Sequence, residues 1–464
     1  MTTYIIGLEV LLGLDDLGAN KDEKELCKVF YSYNINNLTN QNNKIRFEKL
    51  YKALRKLQLF PSIVAEDLFL IACAVYAADI RINRYQHAQD SWTRQLKIFI
   101  PVSNIKIWLD VSETLKSILG FLTGDIWDFE FRRRPNNDPL FSISKSKLYT
   151  GMPYVTDTVC LFSGGMDSFI GAYNLLKNGT VPLLIGHSKS ADVSYFRNTA
   201  YNALKEKYND KDLALVEAVV SIDKQKNITG REDTERGRSF LFLALGILCA
   251  SPLPVEGNQQ RKLIVPENGM ISLNLALTPL RLGAYSTRTT HPYLLQLIQT
   301  LIDTLNIDVK INNPYELKTK GQMLVDTNDS SFIANIDTMS CSRPATRNAN
   351  LEGKGFKHCG RCVPCIIRRA ALKRAGLIDD QEKLPIEKQY RFDILTELVS
   401  ASNVKGENVM AFKYLINQTE KHPNYLTAMI RMTGPLDDVK SYLDMYTEGV
   451  KEVRSLIDAV KVVN

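Results

Sequence analysis

The chain is 464 residues long, 45% hydrophobic and 23% charged, with 58 basic against 51 acidic side chains for a net charge of +7. That length supplies two or three domains and a sizeable buried core, in proportions ordinary for a soluble globular protein. A mild basic excess spread over so long a chain is weak support for a nucleic-acid partner. The longest apolar runs, Leu68 to Ala78 and Phe240 to Ala250, fall short of the ~18 residues that cross a bilayer, so no membrane contact is expected. Glu9 interrupts the first apolar stretch and no basic segment precedes it, which argues against a signal peptide and for the cytoplasm as compartment.

Residues 1–150 read as a separate α+β accessory domain. Thr3 to Gly7 suits a strand, Lys21 to Tyr33 a helix, and the Asn-rich stretch after it a polar loop. Pro61 to Ile80 is apolar around much of its circumference and predicts a buried helix, while Leu96 to Pro101 and Trp127 to Arg132 alternate as strands do. Asp79, Arg81, Arg84 and Trp92 gather at the end of that helix, either as a binding group or as a solvated helix end with a packed Trp. RRRPNNDP, running on into a Ser- and Lys-rich segment, marks the domain boundary.

From 151 to 375 strand and helix patterns alternate, which predicts an α/β domain with a doubly wound parallel sheet. Its strands are expected at Thr158–Phe162, Thr180–His187, Leu213–Ile222 and Leu263–Val265, with helices at Asn198–Tyr208 and Arg238–Ala250. Ligands in open α/β sheets sit beyond the carboxyl ends of the strands, so the loops after Phe162, Gly186 and Val265 should face one site. Residues 376–464 read as a helical C-terminal region. There Leu436, Val439, Leu443, Tyr446, Val450, Val453, Ile457 and Val460 form one apolar seam behind Pro435, suited to packing within the domain or to pairing with a second copy.

The strongest local signal is Thr158 to Gly179, a β-prone run, then Ser163-Gly164-Gly165-Met166-Asp167-Ser168, then a helix-period run ended by a glycine. Two glycines let a backbone approach a ligand, and the first N–H groups of the helix point at it with the positive end of the dipole behind them. Ser163 and Ser168 can donate to phosphate oxygens, and Asp167 can hold the turn or a magnesium ion. GxxxxGK[ST] and GxGxxG are both absent, which excludes a Walker A loop and a dinucleotide fingerprint. A second signal is Cys359-Gly360-Arg361-Cys362-Val363-Pro364-Cys365 with Cys341 upstream. Four thiolates at this spacing complete a closed tetrahedral zinc site, and CxxCxxC also suits an iron–sulfur cluster. The nearby Arg343, Arg347, Lys354, Lys357, Arg361, Arg368 and Arg369 offset the thiolate charge or contact RNA phosphate. Cys27, Cys73, Cys160 and Cys249 read as buried free thiols.

SGGxDS after a strand resembles the pyrophosphate loop of the N-type ATP pyrophosphatases, which adenylate a carbonyl or carboxyl oxygen and let a nucleophile displace AMP. Joined to Cys…CGxCxxC, it is similar to the 7-cyano-7-deazaguanine synthases (QueC) over roughly residues 155 to 375, about half the chain. Gly237-Arg238-Ser239 and Tyr315 to Lys320 resemble further segments of that family. The resemblance implies an adenine nucleotide alpha hydrolase-like fold and ATP, Mg2+ and Zn2+ as cofactors. It implies that Ser163, Gly164, Gly165, Asp167 and Ser168 hold ATP phosphates and that Gly186 and His187 line the adenine pocket. It makes Asp167, Arg238 and Lys320 the catalytic set, Glu267 and Asn268 the residues that meet a 7-deazaguanine edge, and Cys341, Cys359, Cys362 and Cys365 the metal ligands. The implied activity is ATP-dependent activation of a 7-deazaguanine carboxylate and transfer to ammonia or another amine.

Departures from the family are Ser239 in place of its Asn, and ENGMISLN with Ser286 to Pro292 in place of its substrate-loop wording. The first 150 residues and the helical tail have no counterpart in the housekeeping enzyme. This longer layout looks like the QueC-like proteins of bacterial antiphage cassettes, the Qat system among them. Their neighbours include an ATPase, a small partner protein and a TatD-like nuclease. A protein amine as acceptor would dock on the added domains. Two other functions fit the same motifs: a tRNA-thiolating pyrophosphate-loop enzyme, and a non-catalytic nucleotide-binding subunit.

Overall fold

The computed structural model describes the chain apart from residues 1–4, 13–15, 17, 36–42, 136–138, 142–153, 188–190, 225–231, 233, 256, 258, 279–287, 343–356, 378–389, 401–404 and 464. Most of the Asn-rich loop and of the boundary segment, together with Ser286, Arg343, Arg347 and Lys354, lies outside the described residues.

The first sheet contains β1 (Ile5–Leu11), β2 (Cys27–Asn34), β3 (Gln95–Val102) and β4 (Ile126–Arg133) in the order β2-β1-β3-β4. Every pairing in it is parallel, so this region is α/β rather than the expected α+β. The helix expected over Lys21 to Tyr33 ends at Glu25, and β2 takes the rest. CKVFYSYN is aromatic and β-branched, and its alternate residues Tyr31 and Tyr33 are buried, so sheet packing overrides a short helical pattern.

Strands β5 (Thr158–Leu161), β6 (Leu183–His187), β7 (Ala214–Ala218), β8 (Arg261–Ile264) and β9 (Val309–Asn312) form the second sheet, in the order β9-β8-β5-β6-β7. All of its pairings are parallel, and the strand order reverses between β5 and β8. A crevice at the carboxyl ends of those two strands is where such a sheet binds ligands.

Helix α1 (Ile63–Arg81) is buried on every side from Ala65 to Asp79 because it lies between the two sheets. It packs on β1 and β3 and, on its other side, on the helix Arg238–Ala250, which in turn covers β5, β6 and β8. One apolar cluster therefore runs from Ile6, Leu8 and Val10 through Phe69 and Val75 to Val159, Leu161 and Ile185. The opposite face of the second sheet presents Cys160, Phe162 and Leu184 to α2 (Met166–Lys177) and α3 (Ala191–Lys207) through Phe169, Ile170, Ala200 and Leu204. Helices thus cover both faces, as a doubly wound sheet requires.

The Arg238–Ala250 helix is α4; α5 (Gly269–Leu273), α6 (Lys320–Asp326), α7 (Val363–Arg374) and α8 (Val439–Ile457) follow in the chain. A third apolar cluster joins Met270 and Leu273 of α5 and Ile366 and Ile367 of α7 to Tyr446, Val450, Val453 and Ile457 of α8. The C-terminal seam is spent inside its own chain. Among the described residues no helix is long and apolar enough to cross a membrane.

Candidate active site and metal centre

The loop between β5 and α2 folds back on itself. Gly164 has φ +87°, and a Cβ there would stand 2.6 Å from the Arg197 backbone nitrogen, so both the turn and the approach of α3 demand glycine. Ser163 and Ser168 hydroxyls lie 3.2 Å apart, and Gly165 donates to Ser163 while Ser168 donates to the Gly165 carbonyl. Gly165 caps α2 without a side-chain acceptor, so no side chain satisfies the first N–H groups of this twelve-residue helix at the carboxyl end of β5.

Asp167, in the first turn of α2, is buried. Its Oδ1 lies 2.6 Å from Lys320 Nζ at the start of α6, and its Oδ2 accepts from Asn268 Nδ2 at 2.7 Å. Glu267 shares a side-chain hydrogen bond with it. Burial by itself would raise the Asp167 carboxyl, but the Lys320 ammonium and these bonds hold it at about 2. Burial and the Asp167 charge push Glu267 well above the usual carboxylate range, so Glu267 carries the proton the pair shares. Asp167, Glu267, Asn268 and Lys320 come from the ends of β5 and β8 and from α6, three segments far apart in sequence that meet at the reversal of strand order.

Asn268 is buried and its amide is committed. Its oxygen caps α5 by accepting from Ile271 N–H, and its nitrogen serves Asp167 and Glu267. In this arrangement it orients Asp167, and the Glu267 carboxyl is turned inward towards the same aspartate. Asn313, beyond β9, holds the Glu267 backbone from both sides, with Nδ2 donating to its carbonyl at 2.9 Å.

Arg238, His187 and Gly186 sit in a neighbouring group. The Arg238 charge acts on Tyr76 of α1, whose ring stands edge-on to His187 at 6.2 Å between centroids. A Cβ on Gly186 would meet Arg197 Cδ at 2.3 Å, so this glycine makes room for a buried arginine that crosses β6 to Glu217 on β7 at 2.5 Å. Sequence reading missed Arg197; its signal was the pair of glycines, 164 and 186, that its backbone and side chain press against.

The four motif cysteines converge, with all four sulfurs within 4.8 Å of one another. Cys341 Sγ lies 3.8 Å from Cys362 Sγ, and Cys359 Sγ lies 4.0 Å from Cys365 Sγ. Tetrahedral Zn–S bonds of about 2.3 Å place sulfurs about 3.8 Å apart, so the set fits that ion. Backbone N–H groups of Cys359 and Cys362 each donate to a motif sulfur at 3.4 Å, as thiolate ligands require. Gly360 has φ +78° and abuts the Phe392 carbonyl, which fixes the tight CxxC turn. His358 stands beside the knot: its Nε2 donates to the Thr338 carbonyl at 3.0 Å, its Nδ1 lies 3.8 Å from Cys365 Sγ, and burial holds its imidazole down at about 3.

This knot is tied to the loop. Met339, next to Thr338 and two residues before Cys341, donates its N–H to the Gly164 carbonyl at 2.9 Å. Arg368 of α7 donates to the Thr338 hydroxyl at 2.8 Å. A metal-closed knot therefore fixes the strip of chain that covers the turn.

The Asp79 group is neither a binding patch nor a solvated helix end. Asp79 and Arg84 are buried, Asp79 lies 2.8 Å from Arg94, and Arg84 forks onto Asp125 at 2.7 and 2.8 Å. Arg81 and Trp92 are its partly exposed members, with Arg236 stacked over Trp92 at 4.3 Å. Asp79 also accepts from Gly237 N–H at 2.7 Å, which fixes the residue before Arg238 from the first sheet's side.

No protein-family model matches the chain, and no curated protein does.

Proposed function

We propose that the chain is an ATP-dependent ligase that adenylates a 7-deazaguanine-type carboxylate and passes the acyl group to ammonia or another amine. The observation that carries this reading is the junction of Asp167, Glu267, Asn268 and Lys320 beside an uncapped helix N-terminus. In the reaction a carboxylate oxygen bonds to the α-phosphorus of ATP and pyrophosphate leaves. The amine nitrogen then bonds to the acyl carbon, AMP departs with the bonding electron pair, and the amine gives up its proton. Backbone N–H groups of α2 and the serines of the loop hold the phosphates, and Lys320 with Arg238 offsets charge on the departing groups.

Lys320 already neutralises Asp167, so we assign Asp167 to holding that lysine in place and route no step through magnesium. Zinc on Cys341, Cys359, Cys362 and Cys365 supplies closure of the knot and no chemistry. The placement in antiphage defence, with a partner protein as acceptor, follows from the resemblance in chain layout.

The test is incubation with ATP and 7-carboxy-7-deazaguanine, with and without ammonia, read by mass spectrometry. AMP, pyrophosphate and an amide that needs ammonia are expected. ADP as product, or AMP released at the same rate without the carboxylate, would overturn the reading.

A further inference from the structure

The C-terminal helix α8 lies behind both loops that furnish the site. Met445 occupies the space beside Gly269, where a Cβ would be 2.5 Å from its methyl carbon, and Gly449 admits Met270 just as closely. Tyr442 hydrogen-bonds Glu316 in the segment that leads to α6. Beyond these contacts along the same helix stands a buried carboxylate, Glu452, that the reaction itself does not use. The Thr319 hydroxyl donates to its Oε1, and the Gly321 N–H donates to it as well. Arg374, the last residue of the cysteine-bearing helix α7, lies 2.7 Å from the same oxygen.

Thr319 and Gly321 flank Lys320. Thr319 is the N-cap of α6 in a complete capping box with Gln322, and Gly321 is glycine because a Cβ would fall 2.6 Å from Glu452 Oε1 and 2.6 Å from Arg374 Cδ. The residues on either side of the lysine are therefore held by one carboxylate from a helix about 130 residues later in the chain. Nothing in the local sequence of α6 fixes where its first turn points; the capping box shapes the turn, and the anchor to Glu452 aims it.

We infer that Glu452 is a positioning residue for Lys320, and that α8 belongs to the working site instead of being an appended tail. The inference rests on the reading of Lys320 as the cation that serves the phosphates. Glu452 touches neither substrate nor reacting atoms; it acts through the lysine.

A double-mutant cycle separates this from a general stabilising role. Glu452→Ala, Lys320→Met and the double variant are compared by ATP turnover to AMP with 7-carboxy-7-deazaguanine, alongside thermal melts. Glu452→Ala is expected to lower kcat about 10-fold with KM for ATP changed less than about 3-fold, and Glu452→Gln, which still accepts both hydrogen bonds, to recover most of the loss. In the Lys320→Met background Glu452→Ala should cost nothing further. Equal loss from Glu452→Ala in both backgrounds overturns the inference, as does wild-type turnover in Glu452→Ala. If Glu452→Ala does not fold, Thr319→Val, which removes one of the same anchors, enters the cycle in its place. Wild-type turnover in Lys320→Met is a distinct result: it overturns the reading of Lys320, and with it the proposed site.

Discussion

Two buried charge clusters lie at opposite ends of parallel sheets, and they are built differently. At the amino ends of β3 and β4, Arg84, Arg94 and Arg236 face Asp79, Asp125 and Glu232, and Glu232 accepts from the Arg84 N–H at 3.0 Å. Each carboxylate there meets a guanidinium, and the result fastens α1 to the strands and to Gly237. At the carboxyl ends of β5 and β8, two carboxylates share one ammonium and one proton. A cluster that balances its charges has no use for a ligand. One whose two carboxylates must share a proton and a single lysine is arranged to respond when an anion arrives.

The largest expected effect is in the balanced cluster. Arg94→Ala leaves Asp79 buried with only the more distant Arg84, at 3.6 Å, as an ion-pair partner, strips Asp125 of one of its two guanidinium groups, and should cost about 3–5 kcal/mol, measured by urea unfolding. A cost under about 1 kcal/mol would erase the distinction between the clusters. Next comes the knot. Cys362→Ser should take bound zinc from one equivalent to none by atomic absorption, with a fall in Tm smaller than that of Arg94→Ala, since only the strip around Met339 is released. Lys320→Met should lower ATP turnover about 100-fold while unfolding at a urea concentration closer to wild type than Arg94→Ala, because Asp167 and Glu267 can take up a further proton in its absence.

What the sequence made legible was local. The SGGMDS turn needs only its own strand and helix, the cysteine knot needs only close spacing, and α4 runs over the expected residues Arg238 to Ala250. Pairings between distant residues were hidden. Nothing near Lys21 announces that the following segment completes a parallel sheet, because its partner β1 is recruited by tertiary packing. Asp79 looked solvated because Arg94, which neutralises it, lies 15 residues further on, beyond the end of its helix. Glu452 sat inside an apolar seam with no visible reason to be charged until α6 was placed beside it.

The smallest effect is also the most discriminating. The Glu267 carboxyl stands above its ordinary 4.5, so the folded chain binds a proton that the unfolded chain releases. Stability therefore falls as pH rises from about 4.5 through the folded value, while the part due to Asp167 disappears only as pH drops from 3.8 towards about 2. Glu267→Gln removes the first dependence and leaves the second. Its Tm should exceed that of wild type at pH 8, with the gap narrowing towards pH 5, in a series of melts at fixed ionic strength. Parallel Tm–pH curves for the two proteins would mean that Glu267 ionises freely, and the contrast between a proton-holding site and a balanced brace would be lost. If the gap is present, ATP at saturating concentration should change it, because triphosphate charge beside Lys320 weakens that lysine's hold on Asp167 and draws the shared proton more firmly into the pair.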